Sequence, residues 1–220
     1  MARSAAELAM DFVEDGFTVG LGTGRAASAF VRVLGERVQG GLVVRGVPTS
    51  VATAELARAC GVPLVGLDDV ESIDVTIDGA DEVDPQLDLI KGYGAALVRE
   101  KVVAAASQRL VILVGPEKLV NVLGQRGRIP VEVIPFAATL CARRFTAMGL
   151  GGALRQSDGA PVVTDNGNYI YDCRVESIAD PAALDRELCC VPGVLGTGIF
   201  AGMARAVVVD RPDGATLMQR

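Results

Sequence analysis

Between Ile77 and Lys101 the chain reads IDGADEVDPQLDLIKGYGAALVREK. Asp78, Asp81, Lys91 and Glu100 stand there around two glycine-bearing turns, between apolar runs. Carboxylates that take and return a proton, beside a lysine that steadies charge on oxygen, are the parts of a sugar-handling acid/base site. The chain has no histidine, so proton transfer falls to carboxylate, lysine, tyrosine or cysteine, and the commonest metal ligand is missing.

On a helix, the neighbours of Glu100 at three and four residues are Ala96, Leu97, Val103 and Ala104. All four are apolar, which puts Glu100 on the buried stripe and leaves Arg99 and Lys101 at its sides. Burial disfavours the charged form of a carboxyl and brings it toward the range useful to a general base. A glutamate at the edge of the stripe, paired with a structural Arg or Lys, fits the same spacing. Asp78 and Asp81 follow the β-branched run Val75-Thr76-Ile77, and Gly79 and Ala80 keep the turn between them tight. Such a pair could grip sugar hydroxyls, bind a divalent metal, move a proton or simply cap the next element. No metal site is expected, because without histidine it would need oxygen ligands alone. Glu82 and Asp84 read as solvated or structural. Lys91-Gly92-Tyr93-Gly94 precedes the Glu100 helix. Its glycines admit a close backbone approach, and free amides at a helix start favour oxygen anions. Lys91 either neutralises a developing oxyanion there or is a surface lysine in a loop.

Gly20-Leu21-Gly22-Thr23-Gly24 forms a strand-to-helix glycine turn suited to a phosphate. The third glycine comes too soon for a dinucleotide fingerprint, and the Gly-Lys-Ser/Thr ending of a P-loop is absent. A nicotinamide-dependent reductase is therefore disfavoured. Thr49, Ser50 and Lys118, at the ends of neighbouring segments, could add hydroxyl and cationic contacts to the same anion.

The elements that position these residues alternate. Strands are expected at 18–21, 42–45, 63–67, 75–77 and 110–114, and helices at 26–38, 53–59 and 95–107. That order predicts an α/β fold, a mostly parallel sheet with helices on both faces, whose ligands sit at the carboxyl ends of strands. Gly22-Thr23-Gly24, residues 78–81 and residues 115–118 all fall at such ends. Beyond Ile129 the pattern changes to an extended stretch at 130–135, a helix at 137–148, a hairpin of 162–164 with 169–173 around Asn166-Gly167, and a helix at 182–188. This predicts a smaller α+β unit, after which 199–200 and 206–209 return to the main sheet.

Half of the chain is hydrophobic and 22% is charged, enough for a full core. A net charge of -6 argues against a nucleic-acid partner. The five cysteines show no CxxC spacing and read as buried thiols rather than a disulfide frame. Asp11, Glu14 and Asp15 interrupt the first apolar stretch, and Arg109 breaks the longest apolar run. A soluble, cytoplasmic protein without membrane partners is expected.

Taken in order, GLGTG at 20–24, TS at 49–50, DGADEVDP at 78–85, IKGYGAALVREK at 90–101, EKLV at 117–120, PVEVIPFA at 130–137, TDNGN at 164–168 and PGV at 192–194 resemble the ribose-5-phosphate isomerase A family. The resemblance implies a Rossmann-like catalytic domain (1–128 and 197–220) with a small α+β lid (129–196), a sugar-phosphate substrate, no cofactor, and a homodimer or homotetramer. It implies aldose–ketose isomerisation, with the proton-transferring glutamate at Glu100, the aspartate pair at Asp78 and Asp81, the loop lysine at Lys91 and a phosphate-side lysine at Lys118. Substrate contacts would come from Thr23, Gly24, Arg25 and Ala26, from Asp78, Gly79, Ala80 and Asp81, and from Lys91, Gly92, Tyr93 and Gly94. The chain departs from the family in three places. Arg25-Ala26 stands where similar proteins carry Ser-Thr, so Arg25 either replaces two hydroxyl contacts or points away. Tyr93 stands where the family favours glycine. An N-terminal lysine is absent, with Arg3 nearby. Two other readings use the same residues. A sugar-phosphate sensor would need a DNA-binding segment, and none is visible. An acyl- or CoA-transferring enzyme would use Glu100 as nucleophile and exchange a CoA thioester.

Overall fold

The computed structural model describes residues 3–220. The chain divides into two units. One comprises Met1–Ala80, Arg99–Lys118 and Met203–Arg220, and the other Asp81–Val98 and Leu119–Gly202.

Helix α1 (Ala5–Ala9) starts from a capping box in which Ser4 and Glu7 satisfy each other's backbone amides. Strand β1 (Thr18–Leu21), helix α2 (Arg25–Gln39), β2 (Arg45–Pro48), α3 (Val51–Ala59) and β3 (Val75–Gly79) follow. Next come the two-residue strands β4 (Glu82–Val83) and β5 (Leu89–Ile90), helix α4 (Leu97–Ala105), β6 (Leu110–Val114) and β7 (Arg128–Val133). Helix α5 (Ala138–Ala147) precedes β8 (Gly152–Leu154), β9 (Gln156–Ser157), β10 (Ala160–Pro161) and β11 (Tyr169–Arg174). The chain ends with α6 (Pro181–Cys189), β12 (Val194–Thr197), β13 (Ile199–Phe200), β14 (Ala204–Val209) and β15 (Thr216–Gln219).

In the first unit the sheet order is β15-β14-β6-β3-β1-β2. All neighbours are parallel except β15, which pairs antiparallel with β14. Val19, Leu21, Ile77, Val111 and Leu113 share a buried cluster with Phe30, Val31 and Leu34 of α2. Burying each such side chain stabilises the fold by roughly 1.5–3 kcal/mol. The opposite face receives α4: a Cβ on Gly20 would stand 2.8 Å from Val103 and 1.8 Å from Thr76 Oγ1. Only glycine lets that helix come so close. Helices thus cover both faces, and the expected α/β class holds.

In the second unit an antiparallel sheet runs β12-β7-β11-β8, beside a three-stranded β13-β5-β4 sheet. Val131, Val133, Tyr171 and Cys173 share a core with Cys141 and Phe145 of α5. By the alternation of a strand, Pro130, Glu132 and Asp172 face the other way.

Several expected elements differ. The strand read at 42–45 lies at Arg45–Pro48, and 63–67 contributes a single bridge, Gly46 to Leu64. The extended stretch at 130–135 is β7, which pairs on both sides. The Asn-Gly turn exists, with Gly167 at φ 78° and Thr164 N donating to Asn168 O. Its first arm bridges only once, Val163 to Tyr169, because β11 is taken by β7 and β8. A tighter turn lies just before it: Asp158-Gly159, with φ of 53° and 80°, joins β9 to β10. Residues 199–200 pair with β5 in the second unit and not with the main sheet, whereas β14 does enter that sheet.

Cys141 and Cys173 are buried as expected, and burial pushes the Cys173 thiol up to about 12. Cys60 is half-buried, while Cys189 and Cys190 are exposed at the end of α6; the core takes Leu188, with Leu184 beside it, from that helix. None of the five forms a disulfide. Among the described residues no helix is long and apolar enough to cross a membrane.

Candidate active site

In the first unit the glycine turn, residues 78–79 and residues 115–118 lie at the carboxyl ends of β1, β3 and β6. These strands are hydrogen-bonded neighbours, with Leu21 opposite Ile77 and Gly79 opposite Leu113. Gly24, at φ 102°, caps α2 and turns the chain into it. Thr23 Oγ1 lies 2.8 Å from Thr49 Oγ1, donates to Ser50 Oγ at 2.9 Å and stands 3.3 Å from Thr53 Oγ1. Thr53 Oγ1 donates in turn to Gly22 O at 2.9 Å. Thr49 and Ser50 thus stand beside the turn, bonded to Thr23. Thr53 was overlooked, although its place one turn into a helix capped by Ser50 (which accepts from Thr53 N) would have found it. Asp78 is 1% exposed, and its Oδ1 accepts from Thr23 N at 3.1 Å and Gly79 N at 2.7 Å. The carboxylate therefore ties the phosphate-type turn to β3.

Glu100 is 5% exposed within α4, with Ala96, Leu97, Val103 and Ala104 all buried around it. The expected stripe is real. Its place follows from the helix. Ser107, just past α4, hydrogen-bonds Thr76 at the start of β3 (2.6 Å between hydroxyls), and Val103 meets Gly20 in mid-β1. One turn earlier, Glu100 lies toward the carboxyl ends of the strands, the end that carries Thr23 and Asp78. Lys118 is half-buried in the turn after β6, and Arg25 is exposed in the first turn of α2. Arg25, Ala26, Gly115 and Glu117 border a cleft of about 690 Å³.

In the second unit Asp81 and the Lys91 loop come together. Asp81 N donates to Ile90 O, and Asp81 Oδ2 accepts from Tyr93 N at 2.9 Å. Lys91 is 2% exposed, so it is no surface lysine, and its Nζ lies 5.5 Å above the Phe200 ring. Gly92 sits at φ 103°, where a Cβ would press Leu97 at 2.7 Å. Tyr93 is half-buried beneath Arg128, whose guanidinium carbon lies 3.9 Å from the ring centre. Burial raises the Tyr93 phenol above its ordinary range, which keeps it protonated at neutral pH. Glu82 proves structural rather than solvated: it is fully buried and accepts from Gly124 N and Arg126 N at 2.6 and 2.7 Å. Asp84 likewise accepts from Gln86 N and Asp88 N.

Two groups were not anticipated. Arg155 donates through Nη1 to the carbonyls of Gly92 and Tyr93. Glu132, fully buried, accepts through Oε1 from Thr164, Asn166 and Asn168 at 2.9, 3.0 and 2.9 Å. Among the described residues no group of three or more His, Cys, Asp or Glu side chains is placed to hold a metal ion.

A profile of ribose 5-phosphate isomerase A (phosphoriboisomerase A) matches residues 45–214. The chain is 50% identical to the ribose-5-phosphate isomerase A of Roseiflexus castenholzii over 96% of its own length and 92% of that protein's. A solved D-ribose-5-phosphate isomerase in complex with phospho-erythronic acid superposes with a TM-score of 0.95 at 41% identity, covering 98% of this chain and 96% of that one. The ribose 5-phosphate isomerase A of Methanocaldococcus jannaschii gives 0.95 at 40% identity, over 99% and 97%. With likeness of that extent in both sequence and structure, the chain belongs to the ribose 5-phosphate isomerase A family.

Proposed function

We propose that this protein interconverts D-ribose 5-phosphate and D-ribulose 5-phosphate with Glu100 as the group that moves the proton. The observation that carries the reading is a glutamate almost wholly withdrawn from water, at the strand end that holds the glycine turn and Asp78. The phosphate rests on the turn Thr23-Gly24-Arg25-Ala26, where the α2 amides are free to donate and Arg25 and Lys118 supply positive charge. Asp78 and Lys91 assist opening of the furanose ring. Glu100 then takes the proton from C2 and the carbonyl oxygen at C1 gains negative charge, giving a cis-enediolate. Asp81, Lys91 and the amides of Gly92 and Gly94 hold the hydroxyls and steady that charge while the O2 proton passes to O1. Glu100 returns its proton to C1, and the C2 oxygen becomes the ketone. The solved relative's ligand supports this sequence, since the planar carboxylate of a phosphorylated four-carbon acid mimics an enediolate.

The test is direct. Purified protein stripped with a chelator is incubated with ribose 5-phosphate, and ketose is followed by NMR. Ketose should form at the same rate with and without chelator. Absence of ketose under both conditions would refute the reading.

The same proposal includes self-association into a homodimer or homotetramer. Phe136 is 99% exposed, and Ile134 and Leu140, within four residues of it, are 37% and 43% exposed. A large aromatic left in water beside two aliphatic neighbours supports a surface that a second copy covers. Sedimentation at micromolar concentration should show an oligomer that Phe136→Ser dissociates. A monomeric parent protein would overturn this part.

A further inference from the structure

The loop that carries Lys91 is held by a closed circuit of side chains. Asp81 takes the Tyr93 amide from one side. Arg155 takes the two carbonyls, Gly92 O at 2.9 Å and Tyr93 O at 3.0 Å, through a single nitrogen. The remaining donors of Arg155 fork onto Asp172, Nε to Oδ2 at 2.9 Å and Nη2 to Oδ1 at 2.5 Å. Asp172 also faces Arg128 at 3.6 Å, and the Arg128 guanidinium lies over the ring of Tyr93. The circuit therefore begins and ends on the same loop residue. Its charged pair is largely out of water, the Arg155 and Asp172 side chains being 13% and 17% exposed. Such a forked, charge-assisted contact is rigid where a surface pair would not be.

We infer that Arg155 is a positioning residue for the isomerase reaction, acting through the Gly92 and Tyr93 carbonyls, with Asp172 as the group that aims it. The inference rests on the functional reading given above. Gly92 turns the loop through left-handed backbone, and Ala95 follows at φ 60°, a strained conformation for a residue with a Cβ that persists only where its surroundings hold it. Fixing both carbonyls fixes the planes of the next two peptides, and with them the directions of the Tyr93 and Gly94 amides. The Tyr93 amide is held by Asp81, whereas the Gly94 amide and Lys91 are the groups assigned to charge that exists only while the enediolate forms. Loosening them should therefore slow turnover more than it weakens substrate binding. Lysine cannot replace this arginine, because one ammonium cannot fork onto Asp172 and reach two carbonyls together. Tyr93 adds to the hold by giving Arg128 a ring to cover.

The test uses Arg155→Lys, Asp172→Asn and the double variant in the full chain. Each single change should lower kcat about 10–100-fold with KM within about threefold, a size typical of misplaced rather than missing groups. The double variant should be no slower than the slower single, since both break one circuit. Guanidinium ion should partly restore kcat in Arg155→Ala and leave the parent enzyme unaffected. A kcat within twofold of the parent in Arg155→Lys, a loss confined to KM, or losses that multiply in the double variant would each overturn the inference. Should one variant fail to fold, the other carries the same reading. Hydrogen exchange at the Tyr93 amide gives a check independent of activity: it should quicken in Arg155→Lys, and unchanged exchange would also overturn the inference. If the parent protein made no ketose, the isomerase reading would fall while the clamp would still be judged by that amide.

Discussion

Glu100→Gln should abolish nearly all turnover while leaving the protein folded and able to bind substrate. Gln matches Glu in size and keeps one acceptor oxygen, so the packing of α4 against β1 and β3 stays intact. It cannot take a proton from carbon. Removing a general base costs about 10²–10⁴-fold in kcat, and KM should stay within about threefold because the base makes no uniform binding contact. Steady-state ketose formation measures the first. The sharper readout is loss of deuterium from C2-labelled substrate in D₂O-free buffer, which reports proton removal before product leaves. That exchange should vanish together with turnover. A variant that keeps a tenth of the parent rate, or exchanges label without turnover, would show that another group moves the proton.

The second large effect is on stability. Glu132 lies on β7 between β12 and β11, and three donors from the turn at 164–168 converge on its Oε1. Thr164 also accepts from the amides of Asn166 and Asn168. Thr164 and Asn168 are themselves buried. Glu132→Ala would strand the Thr164 and Asn168 donors away from water and leave a void in the sheet. Each buried polar group that loses its partner costs about 1–3 kcal/mol, so a loss of roughly 3–5 kcal/mol is expected. For a chain of this size that lowers Tm by about 8–15 °C. Glu132→Gln keeps the acceptor and should lose less than half as much. Thermal unfolding followed by circular dichroism decides it, and equal melting of the Ala variant and the parent would show the cluster to be dispensable.

The parts of this molecule that were legible in the sequence are those fixed by local pattern. Glu100 could be placed because burial on a helix follows from its four apolar neighbours. Asp78 and the glycine turn could be placed because strand ends in a parallel sheet collect them. β2 could not. Leu42-Val43-Val44 has the better strand propensity, yet the strand is Arg45-Gly46-Val47-Pro48, chosen by pairing with β1. A Cβ on Gly46 would come within 2.6 Å of Leu21 and 3.1 Å of Leu64, so packing demands the weak strand-former. β7 was hidden for a related reason, since Pro130 usually marks a strand that is not central. Here the Pro130 carbonyl accepts from Gly198 N, and its ring fills space beside Gly92 and Gly198. Arg155 was invisible because a side chain reaching carbonyls some 60 residues earlier leaves no trace in spacing.

The placing of β14 bears on how this chain is made. It runs parallel to β6 and carries β15 on its outer side, yet it is drawn from the last eighteen residues, which rejoin the first unit at Met203. Until those residues leave the ribosome, Leu110–Val114, buried along its whole length in the finished sheet, has one bare hydrogen-bonding edge. A nascent chain stalled before Met203 would present that edge to other chains, and a stop codon there should yield insoluble product rather than a weakened enzyme.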